Sequence, residues 1–180
     1  MLSLNRIAEH VRELLPKVDK LVANVKKVFL KSPSRIQHFK EIAPNLSLSP
    51  QPVLTRWGTW ISAVLYYASN WDTLKLVFEG LNSDSASSIK IVKKLLEDVV
   101  TRNTVLYIAM PFQKLPAAIS SLEKKNLELA ESFRILEDTL QNLCDLPGEY
   151  SAEMKMKCEH VRQKNQELQE IEKLALIFNG

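Results

Sequence analysis

Apolar residues recur at helical spacing along most of the chain. Between residues 4 and 15, and again between residues 18 and 29, they fall three and four positions apart and share one face of a helix, while charged residues take the other face. Pro16 separates these two stretches, since proline is tolerated in the first turn of a helix but not in its interior. The pattern predicts an all-α protein that begins with two amphipathic helices.

The polar face of the second predicted helix carries a row of mostly basic residues. Lys17, Lys20, Asn24, Lys27 and Lys31 are separated by three, four, three and four positions, and this spacing forms one continuous ridge. Such a ridge can follow the phosphates of a nucleic acid, where each neutralised phosphate adds salt-dependent affinity. The alternative is that these lysines only keep an amphipathic helix soluble.

A loop with three prolines, residues 44–52, divides the predicted elements into a basic N-terminal part (1–54) and a helical bundle (55–180) of one continuous domain. A helix beginning at Thr55 or Gly58 follows, with Trp57 and Trp60 on its apolar side. After a further helix and a polar run, the spacing predicts one helix that continues to Met110. Its inward residues include Val92, Leu95, Leu96, Val99 and Val100.

The last third of the chain has an apolar seam. From Leu115 to Leu143 the apolar positions alternate in steps of four and three, with Asn126 as the polar member, and a similar seam containing Asn165 follows Ser151. We therefore expect an elongated bundle with a long C-terminal antiparallel helical hairpin. A buried amide needs a partner, so Asn126 and Asn165 are predicted to face each other and set the register. In the competing interpretation the seam is intermolecular and the protein is a homodimer.

Composition and charge refine this picture. The chain of 180 residues is 46% hydrophobic and 25% charged with only four glycines, which suits a packed helical protein. The formal net charge is +3, but residues 1–57 hold ten Lys and Arg residues against four Asp and Glu residues, and the remainder holds fourteen against seventeen. The positive charge of the first third suggests a face for DNA or another polyanion.

The sequence carries no recognised catalytic or metal-binding motif. The sequence has no glycine-rich phosphate loop, zinc-protease motif or nucleophile elbow, and we expect no cofactor. Cys144 and Cys158 do not have a metal-binding spacing, and Cys158 falls on the apolar seam as an expected buried, inert thiol. No signal peptide or membrane-spanning run is evident, so we expect a soluble intracellular protein with no membrane partner.

Several segments together resemble the C-terminal half of hAT-superfamily DNA transposases. They are the run from Val18 to Lys31, Pro33-Ser34-Arg35, Phe39-Lys40-Glu41, and Leu54-Thr55-Arg56-Trp57-Gly58-Thr59-Trp60 with Tyr66-Tyr67. The resemblance covers residues 4–70 and fades into general helical similarity after them. It implies a large all-helical insertion domain of the kind that splits the RNase H-like catalytic domain in this superfamily.

The resemblance also implies roles for Arg56 and Trp57. In the superfamily the matching tryptophan lies beside the catalytic centre and helps to hold distorted transposon-end DNA. An indole can stack on an unpaired base, and a neighbouring guanidinium can hold a phosphate. The alternative is that Trp57 and Trp60 are core residues.

The segments that carry the superfamily's catalytic acidic residues find no match in this sequence. We therefore expect a non-catalytic transposase fragment or remnant in the nucleus that binds or scaffolds DNA ends through Lys20, Lys27, Lys31, Arg56 and Trp57. The alternative function is a helical module for protein–protein interaction or dimerisation, with no role in DNA binding.

Overall fold

The computed structural model describes residues 2–53, 57–145, 147–164 and 170. Within these ranges the chain forms α-helices, one short 3₁₀ helix (Ser83–Ser85) and no β-strand, which confirms the predicted all-α class. The helices are α1 (Leu2–Leu14), α2 (Pro16–Phe29), α3 (Pro33–Ile42), α4 (Trp57–Ser69), α5 (Trp71–Glu79), α6 (Ser87–Glu97), α7 (Val99–Phe112), α8 (Leu115–Leu122), α9 (Leu129–Cys144) and α10 (Ser151–Lys164). None of these helices combines the length and the apolar character that crossing a membrane requires.

The chain divides into two compact units, one made of residues 12–110 and the other of residues 1–11 and 111–180. The first unit contains fourteen Lys and Arg residues against eight Asp and Glu residues, a net charge of +6, and we call it the basic unit. The second contains ten against thirteen, a net charge of −3, and we call it the acidic unit. The predicted boundary at residues 54 and 55 lies inside the basic unit.

The core of the basic unit is organised around Phe29, at the end of α2. Its ring packs edge-to-face on Phe39 of α3 at a centroid distance of 5.6 Å and on Phe78 of α5 at 5.7 Å. All three rings are almost completely buried. Edge-to-face pairs of this kind add stability beyond the area that they bury, so Phe29 holds α2, α3 and α5 together.

Helix α2 packs most extensively against α6, and the contacts at their two ends show that the helices run antiparallel. At one end the Lys17 ammonium contacts the Asp98 carboxylate at 2.9 Å, just after α6. At the other end the Arg35 guanidinium of α3 donates to the carbonyl of Val28 in α2 at 3.1 Å and to the carbonyl of Ser85, just before α6, at 3.4 Å. These two contacts fix the register of the pair.

Helix α2 ends earlier than the basic ridge predicted. The backbone leaves the helix after Phe29 in a turn in which Leu30 has φ −62° and ψ 122°, and Lys31 has a φ of 54°. The amide of Ser32 donates to the carbonyl of Phe29 at 3.4 Å, as in a type II turn. Lys31 therefore stands beyond the helix, and its predicted place at the end of a helical ridge is wrong.

The single helix predicted from Val92 to Met110 is two helices that meet at Asp98. This residue has extended backbone angles, and its carboxylate accepts hydrogen bonds from the amide of Val100 at 3.1 Å and the hydroxyl of Thr101 at 2.8 Å. It caps the start of α7. The break between the two helices changes which of the following side chains face the core. Val99 and Val100 are 68% and 59% exposed, so their predicted inward position is wrong.

The long helix predicted from Leu115 is also interrupted. Residues 123–128 separate α8 from α9, and Asn126 is exposed in this segment rather than buried in a seam. Four consecutive polar residues, Glu123 to Asn126, leave no apolar side to bury, and the predicted buried Asn126 amide is therefore wrong. Asn165, its predicted partner, lies outside the described residues.

Helices α9 and α10 of the acidic unit pack against each other. The Arg162 guanidinium of α10 contacts the Glu137 carboxylate of α9 at 2.9 Å. The apolar residues at their contact are almost fully buried: Leu136, Leu140, Leu143, Met154, Cys158 and Val161. Helix α8 packs on α9 in the same unit, although the continuous hairpin predicted from residue 115 is broken.

Candidate nucleic-acid interface

Two of the predicted DNA-binding lysines occupy the solvent side of α2. Lys20 and Lys27 are both exposed and lie seven residues apart, which corresponds to about 10 Å along the helix axis. In the described part of the chain neither ammonium forms an ion pair. Lys31 is also exposed, in the turn that follows the helix.

The other two members of the predicted ridge contribute differently. The Lys17 ammonium is paired with Asp98. Asn24 is only 7% exposed, and its side-chain amide donates to the carbonyl of Lys20 at 2.7 Å. Helical spacing places Lys17 and Asn24 on one flank of α2, and the Lys17–Asp98 contact shows that this flank faces α6. The free cationic row on α2 is therefore limited to Lys20 and Lys27.

Helix α6 adds cations that sequence reasoning missed. Lys90 and Lys94 are exposed on its outer side, whereas the Lys93 ammonium donates to the carbonyl of Glu79 at 3.3 Å. Counted from the Lys17–Asp98 contact of the antiparallel pair, Lys94 comes about level with Lys20, and Lys90 comes between the levels of Lys20 and Lys27. We call Lys20, Lys27, Lys90 and Lys94 the lysine surface.

The lysine surface lies in the unit whose net charge is +6. Like charges on neighbouring helices repel one another, and a bound polyanion relieves that repulsion. Glu97 is exposed near the end of α6 and offsets part of the field. The arrangement is suited to contacts with several successive phosphates rather than to one small anion in a pocket.

Arg56 and Trp57, for which the transposase resemblance implies contacts with DNA, lie at a gap in the described residues. Arg56 falls outside the described residues, and Trp57 begins α4, with a side chain that also lies outside them. Their predicted contacts with DNA therefore stay predictions.

Trp60 lies in the core of the basic unit. It is 2% exposed, and its indole Nε1 donates to Oδ1 of Asp19 at 3.0 Å. Asp19 also accepts from the guanidinium of Arg12, through Nε at 2.6 Å and an Nη at 3.3 Å. Trp60 thus attaches α4 to α2, and its ring is not accessible for stacking on a base.

The proline-containing loop that leads toward Arg56 is attached to α4 and α2. The Tyr66 hydroxyl donates to the carbonyl of Ser47 at 2.6 Å, and the Lys26 ammonium donates to the carbonyl of Pro52 at 3.0 Å. The amide of Val53 donates to the hydroxyl of Thr59 at 2.8 Å. Burial raises the pKa of Tyr66 to about 12, so this hydroxyl keeps its proton at neutral pH.

Comparison with known proteins does not assign the chain to a family. No family model, curated protein or solved structure matches it. The hAT-superfamily resemblance therefore rests on the residues given above and is a hypothesis about this chain.

Among the residues that the structure describes, no three His, Cys, Asp or Glu side chains converge in a way that could hold a metal ion. The chemistry that the described surface supports is charge recognition by the lysine surface.

Proposed function

We propose that this chain is a DNA-associated helical domain of the hAT-transposase type, which acts in the nucleus and binds DNA without cleaving it. The observation that supports this proposal is the lysine surface, which presents two exposed lysines from each of two packed helices in a unit of net charge +6. The sequence resemblance supplies the type of domain and the predicted contribution of Arg56 and Trp57.

The lysine surface would act by replacing cations that are condensed on DNA. Each phosphate neutralised on double-stranded DNA makes the slope of log affinity against log salt concentration more negative by about 0.9. Four contacts therefore correspond to a slope of about −3.6. Such contacts position a protein on DNA and carry no sequence information. Stacking of Trp57 on an unpaired base would add a preference for distorted ends, worth about 1–3 kcal/mol.

The proposal is tested by fluorescence anisotropy with a labelled DNA hairpin at about 50 and about 200 mM salt, a range over which phosphate contacts weaken strongly. The double variant Lys20→Ala/Lys27→Ala should bind more weakly, and its slope of log affinity against log salt concentration should be less negative by about 2. The matched control is Lys124→Ala/Lys125→Ala, which removes the same charge from exposed positions in the acidic unit and should change the slope little.

Two results separate the parts of the proposal. Trp57→Ala should weaken binding to the hairpin more than binding to a plain duplex, because only the hairpin offers unpaired bases. Addition of Mg²⁺ or Mn²⁺ should give no cleavage of the labelled hairpin. Undetectable binding at the lower salt concentration, or an affinity independent of salt, would exclude DNA recognition by the lysine surface.

The second candidate function is self-association, and the exposed side of α7 favours it. Val99, Leu106 and Met110 lie seven and four residues apart, share one helix face, and are 68%, 46% and 84% exposed. Beside this face the Arg102 guanidinium contacts the Asp72 carboxylate at 3.3 Å. A second copy related by a two-fold axis would bring an apolar face and the same pair of opposite charges.

Light scattering over a range of protein concentrations tests this second function. A dimer that Met110→Glu dissociates would support self-association through α7, while a monomer at all concentrations would exclude it. The exposed Met156 of the acidic unit provides the control substitution Met156→Glu, which should leave the mass unchanged.

A further inference from the structure

The two cysteines of the chain are brought together in the acidic unit. Cys144 is the last residue of α9, and Cys158 lies in the middle of α10. They are neighbours across the contact between α9 and α10, and both are free thiols. The Cys158 side chain is completely buried, whereas Cys144 is half-buried and can be reached from solvent.

The surrounding contacts hold the two thiols in place. Leu143 and Val161, next to the cysteines on α9 and α10, are at most 3% exposed. One turn beyond Cys158, Arg162 pairs with Glu137 of α9 at 2.9 Å. Contacts between the helices therefore extend well beyond the thiol pair, and the meeting of Cys144 with Cys158 is part of a packed interface.

We propose that Cys144 and Cys158 form a reversible disulfide, in exchange with a small-molecule disulfide, that links α9 covalently to α10. The site pairs one accessible thiol with one that only its neighbour can reach. That combination is the arrangement of an attacking and a resolving cysteine.

The exchange has two balanced steps. The Cys144 thiolate attacks one sulfur of glutathione disulfide, so that a mixed disulfide forms on Cys144 and one glutathione thiolate leaves. The Cys158 thiolate then attacks the Cys144 sulfur, forms the intramolecular disulfide and releases the second glutathione. Overall the protein loses two thiol protons and two electrons, and one glutathione disulfide becomes two molecules of reduced glutathione.

The second step should be slow at neutral pH. Burial is the main cause that raises the pKa of Cys158 to about 12, and contact with Cys144 and the charge of Glu159 act in the same direction. Arg162 opposes them, and Glu137 of α9 partly neutralises Arg162. Because only the thiolate attacks, the rate of ring closure should rise about tenfold per pH unit below that pKa.

The experiment uses the full chain incubated with glutathione disulfide, followed by intact mass, thiol counting and thermal unfolding. The expected product is a monomer with no free thiol and a mass lower by two hydrogens. Its melting temperature should be higher by about 5 °C, because the cross-link restricts the unfolded chain. A thiol reductant should reverse all three changes.

The variants Cys144→Ser and Cys158→Ala distinguish the two roles. Cys158→Ala should stop at the mixed disulfide on Cys144, and Cys144→Ser should react slowly or not at all under native conditions. If Cys158→Ala does not fold, the wild-type product still decides the question. A disulfide-linked dimer, two separate glutathione adducts, or complete resistance to oxidation would each overturn the proposal.

Discussion

The indole of Trp60 and the guanidinium of Arg12 converge on a single carboxylate oxygen. Oδ1 of Asp19 accepts from Nε1 of Trp60 at 3.0 Å and from Nε of Arg12 at 2.6 Å. Trp60 is 2% exposed, so water cannot replace Asp19 as the partner of its N–H group. One acidic residue of α2 thus satisfies a core tryptophan of α4 and a cation near the end of α1.

We predict that Asp19→Ala lowers the free energy of unfolding by about 1–3 kcal/mol, because the buried N–H donor of Trp60 loses its acceptor and Arg12 loses one of its contacts. Trp60→Phe in the Asp19→Ala background should cost less than Trp60→Phe alone, since the unsatisfied donor is then gone. Urea unfolding of the two single variants and the double variant measures this coupling. Strictly additive losses would contradict the prediction.

Gly80 is required by the close approach of a histidine ring. The imidazole Nε2 of His38 lies 3.0 Å from the carbonyl oxygen of Val77, and a Cβ at position 80 would lie 2.5 Å from Cε1 and 2.7 Å from Nε2 of that ring. We predict that Gly80→Ala destabilises the protein by about 1–3 kcal/mol through this overlap. In a His38→Ala background the same substitution should cost much less, and urea unfolding of all four proteins tests this.

Lys31 has a backbone conformation that glycine adopts more easily. Its φ of 54° lies in the left-handed region, which costs an L-residue roughly 1–2 kcal/mol. We predict that Lys31→Gly raises the free energy of unfolding by up to about 1 kcal/mol. Lys27→Gly removes the same charge from inside α2 and should lower it by about 1 kcal/mol. Equal effects in urea unfolding would contradict this explanation.

Asp98 should give the stability of the protein a pH dependence in the acid range. Hydrogen bonds from Lys17, first, and from Thr101 lower the pKa of its carboxyl to about 2. Because this value lies below the unfolded value of about 3.9, the contribution is complete above about pH 5 and is lost as the pH falls through about 2. Urea unfolding of wild type and Asp98→Asn should show a stability difference that shrinks as the pH falls from 5 to 2.

The helices of the basic unit were largely predictable from local signals. Pro16 and Pro33 stand at the first positions of α2 and α3, where proline has no amide to lose, and the apolar spacing between them marks the buried side of α2. Lys20 and Lys27 follow from the same spacing, since they occupy the opposite side. Local spacing was sufficient here because the prediction concerned one helix at a time.

The errors arose where a neighbouring element decides the outcome. Periodicity could not show that α6 covers the flank of α2 that holds Asn24, or that Lys94 comes level with Lys20 from 74 positions away. The apolar spacing predicts one helix through Asp98, but Asp98 ends α6 and caps α7. Val99, the first residue of α7, therefore faces solvent. Heptad spacing predicts Asn126 in a seam only when it is continued across four consecutive polar residues, and the polar character of this segment ends the helix instead.

The contact between Lys17 and Asp98 implies that an internal ion pair keeps one cation of the basic unit from contacting other anions. Asp98 neutralises Lys17 beside the lysine surface, at a N–O distance of 2.9 Å. We predict that Asp98→Asn lowers stability at neutral pH yet tightens DNA binding and steepens its salt slope by about 1, because a fifth ammonium becomes available to phosphates. Anisotropy with the DNA hairpin measures both quantities. A substitution that weakens the fold would then strengthen recognition, so under the proposed function Asp98 limits the affinity for DNA while it stabilises the fold.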